Sequence, residues 1–168
     1  MDLFFVRHGP AEPKVNWSGD DLERPLSAEG RLIVEEVAAR LAQYRMRPER
    51  VVTSPYVRAR QTARILAERL GLADRVVVDA RLIPGFGLRQ LGKLLSEHTD
   101  SQGLMLVGHG PDVTQVVRAL TGGRLTIRKA GVAQVEVPDP EVLKGRLLSL
   151  LVPTPLPQED ALAGDSDS

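Results

Sequence analysis

The sequence predicts an α/β fold: a three-layer α/β/α sandwich with a mostly parallel central sheet. Three observations lead there. Short strand-forming runs alternate with stretches of helical periodicity along the whole chain. The first of those runs, Leu3-Phe4-Phe5-Val6, is continuously apolar, as a strand covered on both faces must be. Ionisable residues follow three of the strands, Arg7 and His8 after the first, Arg58 after the second and His109 after the fourth, at the edge where open α/β sheets bind their ligands.

The elements follow in order. After the first strand, Pro10 to Arg24 is polar and rich in Pro, Gly, Asn and Asp, and reads as a loop. Ser27 is an N-cap for a helix whose stripe is Ile33, Val37, Leu41 and Tyr44, with Val34 and Ala38 alongside, ending near Arg45. Arg50 to Thr53 is a strand. Ser54-Pro55 fits the start of the next helix, the hydroxyl capping and the proline at the first helical position; Ala59, Ala63, Leu66 and Leu70 line its inner face and Gly71 closes it. Arg75 to Asp79 is the third strand, and Leu88, Leu91, Leu94 and Leu95 mark a short helix before His98. Leu104 to Val107 is the fourth strand; Val113, Val116, Val117 and Leu120 carry a helix closed by Gly122-Gly123. Ala133 to Val137 and Leu147 to Val152 supply two final strands whose direction the sequence leaves open.

Composition narrows the function. With 168 residues, 42% of them hydrophobic, the chain has enough for one domain, placed at 1–152. From Pro153 the sequence is proline-rich and then acidic, a composition that buries no core, and 153–168 is expected to be a disordered tail. Lys+Arg and Asp+Glu are both 22, so no global field draws the protein to nucleic acid or to a membrane, and anion binding must come from local arginines. There is no cysteine, which excludes disulfides and thiolate metal sites. Met1-Asp2 leads directly into a strand that ends at Arg7, too short a run for a signal peptide or a membrane span, so a cytoplasmic location is expected.

Arg7, His8, Arg58 and His109 together suit phosphoryl chemistry. Guanidinium forks match the several charged oxygens of a phosphoryl group through paired hydrogen bonds. A neutral imidazole attacks phosphorus to give a phosphohistidine that water then hydrolyses. Positive neighbours disfavour the protonated ring and keep His8 nucleophilic. His109 would hydrogen-bond the transferring oxygens. The same two histidines suit zinc in principle, but adjacent arginines repel a cation, so no metal is expected. His98, between Glu97 and Thr99, is read as solvated, and Asp112 as a carboxylate at a helix start.

Three motifs, Arg7-His8-Gly9, Thr53-Ser54-Pro55-Tyr56-Val57-Arg58-Ala59-Arg60-Gln61-Thr62-Ala63 and Gly108-His109-Gly110, occur in an order and spacing that resemble the histidine phosphatase, or phosphoglycerate mutase-like, superfamily. The resemblance implies that His8 is phosphorylated, that Arg7, Arg58 and His109 form the phosphate pocket, and that no cofactor is used. It also implies a phosphate contact for Asn16. The chain departs from larger members, whose third strand is followed by a segment ending in a glutamate acid. Asp79-Ala80-Arg81-Leu82-Ile83-Pro84 puts proline there, leaving Glu12 or Asp79 as substitutes. Pro84 to Gly103 is also too short for a large lid. This compactness is similar to bacterial phosphohistidine phosphatases acting on histidine phosphotransfer domains. It implies a phosphate-bearing substrate, with a histidine phosphotransfer protein as the leading candidate; a small phosphate ester and a catalytically idle phospho-ligand-binding module are the alternatives.

Overall fold

The computed structural model describes residues 1–154. Six strands form one sheet: β1 (Asp2–Arg7), β2 (Arg50–Thr53), β3 (Val76–Val78), β4 (Gly103–Gly108), β5 (Val132–Asp139) and β6 (Lys144–Leu151). Their spatial order is β3-β2-β4-β1-β5-β6. The first four run parallel, whereas β5 lies antiparallel to β1 and β6 antiparallel to β5. The direction of the last two strands, open in the sequence, is thus that of a hairpin added to a parallel core. The expectation for a tail at 153–168 falls, past Thr154, outside the described residues.

Helices α1 (Ala28–Gln43), α2 (Val57–Leu70), α3 (Leu88–Glu97) and α4 (Asp112–Thr121) cover the sheet. Alternation along the strands sends side chains to opposite faces. Phe4, Val6, Val51, Met105 and Val107 pack with Val34, Val37, Ala63 and Leu66 of α1 and α2. Leu3, Phe5, Val52, Leu104 and Leu106 pack with Leu91, Leu94, Val113 and Val117 of α3 and α4. Both faces of β1 and β4 are buried, which is why these strands read as unbroken apolar runs. The neighbours β1 and β4 send their following helices to opposite faces, opening a crevice at their carboxyl ends.

Several boundaries differ from the sequence reading. Helix α2 begins at Val57 with Tyr56 as its N-cap, not at Ser54-Pro55; the Ser54 Oγ accepts from Tyr56 N at 3.3 Å, one turn ahead of the helix proper. Tyr44 does not complete the α1 stripe; it caps the helix and is 60% exposed. β3 is only three residues long, since Ala73–Arg75 coils into a turn of 3-10 helix before it. The loop from Pro10 to Arg24 contains two further single turns, Lys14–Asn16 and Asp21–Glu23. The capping readings hold at Ser27, whose Oγ accepts from Gly30 N at 2.9 Å, and at Gly71, which is left-handed at φ 72°.

That loop is fastened to α1. Ser27 N donates to Pro10 O at 3.1 Å, and Pro10 O lies so near Gly30 that a Cβ there would stand 1.9 Å from it. Gly30→Ala therefore sets a gain in helix propensity of about 1 kcal/mol against displacement of the loop backbone. We expect a net destabilisation of about 1–3 kcal/mol, as for other overpacked sites, measured by urea denaturation; a neutral or stabilising result would show that the loop yields freely.

Candidate active site

The carboxyl ends of β1 and β4 and the first turn of α2 bring Arg7, His8, Arg58 and His109 to one pocket of about 290 Å³. Four larger cavities among the described residues, of up to about 790 Å³, have no histidine in their lining. His8 is 8% and His109 4% exposed, and their ring centroids stand 5.2 Å apart.

The hydrogen bonds define the state of His8. Its Nδ1 lies 2.7 Å from Gly9 O, a group that only accepts, so Nδ1 carries the proton. Arg58 Nε then donates to the lone pair on Nε2 at 3.3 Å. The nitrogen that keeps its lone pair is Nε2, directed into the pocket at an arginine. Burial pushes the His8 pKa down to about 3, with His109, Arg58 and Arg7 adding repulsion against the Gly9 hydrogen bond. His109 is pushed down to about 4, again chiefly by burial. Its Nε2 shares a 2.8 Å hydrogen bond with Ser54 Oγ, and Tyr56 packs edge-on against its ring at 4.8 Å.

The middle motif is a set of fasteners around this pair. The Arg58 guanidinium carbon stands 4.8 Å from the Tyr56 ring centre. Thr62 Oγ1 accepts from Gly9 N at 3.0 Å and donates to Arg58 O at 2.8 Å, tying β1 to α2. Gln61 Oε1 accepts from Leu26 N at 2.8 Å and holds the far end of the loop. Gly110 has no side chain because a Cβ there would stand 2.5 Å from Arg7 Nε.

Other residues were not singled out by the sequence. Asp21 accepts from Arg58 Nη2 at 3.0 Å and from Arg24 Nε at 2.8 Å. Partial burial opposes its charge, but hydrogen bonds and charge from Arg24 and Arg58 outweigh this and hold the carboxyl below its usual value. Arg24 is buried and donates to Glu12 O at 2.7 Å. Lys14 and Lys129 also line the pocket. The turn before β5 secures β1, since Ala130, left-handed at φ 62°, donates from N to Arg7 O and His8 O at 3.0 and 3.1 Å. An Asp-x-x-Arg pattern in a polar loop looks like a solvated turn, so only the fold reveals its place.

The remaining sequence candidates lie apart. Asn16 is exposed in a turn outside the pocket lining, two residues from Lys14. Glu12 and Asp79 do not line the pocket either. Asp79 caps the Ala80–Leu82 turn and accepts from Arg81, whose hydrogen bonds lower its pKa. Pro84 does stand in the pocket wall, so the position where an acid was missed faces the site. Asp112 opens α4 as expected, and accepts from Gly85 N at 2.7 Å. His98 is half-buried as the cap of α3, with Arg50 Nη1 3.4 Å from its Nδ1, rather than solvated.

The family model of the histidine phosphatase superfamily (branch 1) matches residues 3–86, and the chain belongs to that superfamily. Among curated relatives, an uncharacterized protein of Picosynechococcus sp. is 36% identical over 142 residues, covering 79% of this chain and 82% of that protein. The structure of the protein histidine phosphatase SixA complexed with tungstate is similar at a TM-score of 0.79 and 24% identity, over 90% of this chain and 96% of that one. A mycobacterial glucosyl-3-phosphoglycerate phosphatase is similar at 0.68 and 22%, over 88% and 97%. These solved structures share the fold, a six-stranded, mostly parallel sheet with four helices in this chain.

The depressed histidines make a stability prediction. Unfolded histidines take up protons near pH 6.5, whereas folded His109 and His8 do so only near 4 and 3. The unfolded state therefore binds more protons below 6.5, and stability falls as pH drops from 6.5 towards those values. The slope approaches about 1.4 kcal/mol per pH unit for each histidine. Denaturation curves between pH 7 and 5 should show this slope, and His8→Gln should flatten it. Equal slopes in both proteins would mean that His8 is not held neutral.

Proposed function

We propose that this protein is a metal-independent phosphatase that uses His8 as nucleophile and acts on protein-borne phosphohistidine in the cytoplasm. His8 Nε2 attacks phosphorus as the bond to the leaving nitrogen breaks, the electron pair departing with the imidazole. Water then attacks phosphorus, the P–N bond breaks with its electron pair returning to His8 Nε2, and the proton shed by water stays on an oxygen of the inorganic phosphate released. Arg7, Arg58 and Arg24 offer charge to the phosphoryl oxygens, and His109 a hydrogen bond. Asn16 would add a contact only if its turn swings over the bound phosphate.

The observation that carries the substrate assignment is Pro84 in the pocket wall. The carboxylate that does line the pocket, Asp21, is held ionised between two arginines, a poor state for donating a proton. Leaving groups that need little protonation suit such a pocket. A phosphoimidazole does, and a sugar alkoxide does not. The similarity to SixA agrees with this reading; the similarity to a phosphatase of glucosyl-3-phosphoglycerate supports the small-ester alternative.

A substrate panel decides between them. We expect kcat/KM to rank a phosphohistidine-bearing protein and aryl phosphates well above unactivated alkyl or sugar phosphates, with no loss in EDTA. Efficient hydrolysis of a sugar phosphate with indifference to the phosphoprotein would establish the small-molecule reading instead, and binding without any turnover would establish the idle module.

A further inference from the structure

The two buried histidines share a charge state but meet the pocket with different atoms. Burial lowers both pKa values, so both rings are neutral near pH 7. A neutral imidazole carries one N–H and one lone pair, and the nitrogen that holds the proton decides whether the ring offers the pocket a donor or an acceptor. For His8 the carbonyl of Gly9 fixes the proton on Nδ1 and leaves the Nε2 lone pair towards Arg58. For His109 the deciding group is Ser54.

Ser54 is fully buried and does not line the pocket. Its backbone N donates to Val107 O at 3.0 Å, which anchors it to β4 two residues before His109. Its Oγ accepts from Tyr56 N at 3.3 Å and lies 2.8 Å from His109 Nε2. A hydroxyl has a single hydrogen to donate. Among the described residues that hydrogen has no acceptor except His109 Nε2. A proton on Nε2 would take the second lone pair of Oγ and orphan the buried O–H, an arrangement that folded proteins avoid. The bond therefore runs from Ser54 to His109, and the ring proton sits on Nδ1. That nitrogen has no partner among the described residues and is not sealed from solvent, so it opens into the pocket that His109 lines.

We infer that Ser54 is a positioning residue: its hydroxyl holds neutral His109 in the Nδ1–H form, so that the ring donates a hydrogen bond to an anion in the pocket instead of turning a lone pair on it. The inference rests on the phosphatase reading for the identity of that anion, a phosphoryl group, and not for the state of the ring. His8 and His109 then carry the proton on the same nitrogen yet play opposite parts, because the first turns Nε2 and the second Nδ1 towards the pocket. Without the serine, His109 is released to the Nε2-protonated form that histidine favours in water, and its Nδ1 lone pair would repel phosphoryl oxygens.

Nitrogen-15 NMR of the imidazole rings tests this, since protonated and unprotonated ring nitrogens resonate far apart and the chain has only three histidines to assign. At pH 7 His109 should show a protonated Nδ1 and an unprotonated Nε2 in the wild-type protein. In Ser54→Ala the ring should move towards the Nε2-protonated form. Affinity for inorganic phosphate, by calorimetry, and kcat/KM for phenyl phosphate should each fall about tenfold in that variant, the size of one net hydrogen bond. Ser54→Thr, which keeps the hydroxyl, should retain the Nδ1–H form. A protonated Nε2 in the wild-type protein overturns the inference, as does a ring state unchanged in Ser54→Ala, which would reduce Ser54 to its contact with Tyr56 N. A changed ring that leaves phosphate affinity untouched overturns it too. The Nδ1–H form and phosphate affinity lost together with the serine, in a protein that turns over no phosphorylated substrate, sustain it while sinking the phosphatase reading.

Discussion

The site depends on one constraint: an imidazole must stay uncharged while buried among guanidinium groups. Burial and the positive charge of Arg7 and Arg58 both oppose protonation of His8 and leave its Nε2 lone pair available at neutral pH. The hydrogen bond from Nδ1 to Gly9 O fixes which nitrogen is free. The same charges that keep the ring neutral suit a phosphoryl dianion, so one arrangement serves both partners of the transfer proposed above. Asp21 moderates it by pairing with Arg24 and Arg58 in the resting pocket.

The fold meets this constraint with backbone positions more than with added side chains. The end of β1 is held from three directions: by β4, by the Ala130 turn, and by Thr62 through Gly9 N. Glycines at 9 and 110 leave room where Val34 and Arg7 approach. The parallel sheet supplies the crevice, since β1 and β4 lead to helices on opposite faces. Charged groups placed on these rigid elements need little rearrangement when the charge on phosphorus develops.

Much of this was legible in the sequence because it depends on local pattern. Continuous apolar runs gave away the buried strands, helical stripes the covering helices, and strand ends the positions of Arg7, His8 and His109. What was hidden depends on distance along the chain. Ser54 looked like the cap of α2, and its Oγ does accept from Tyr56 N, but nothing local shows that His109, 55 residues on, shares that hydroxyl. Asp21 and Arg24 belonged to a stretch read only as a polar loop, and it is the fold that brings Asp21 to Arg58. Asp79 looked like a spare acid, yet Arg81, two residues away, already occupies it. That β5 pairs antiparallel with β1, on the edge away from β4, is a property of the whole sheet rather than of the local sequence.

The central claim is that phosphoryl transfer passes through His8. Rapid-quench mixing with a phosphohistidine protein or an aryl phosphate, followed by mass spectrometry of the peptide containing His8, tests it directly. The account predicts a transient phosphate on His8, labile in acid and stable in alkali, that disappears as inorganic phosphate is released and is missing in a folded His8→Ala variant without turnover. Turnover retained in His8→Ala, or a covalent phosphate trapped on another residue, would contradict it.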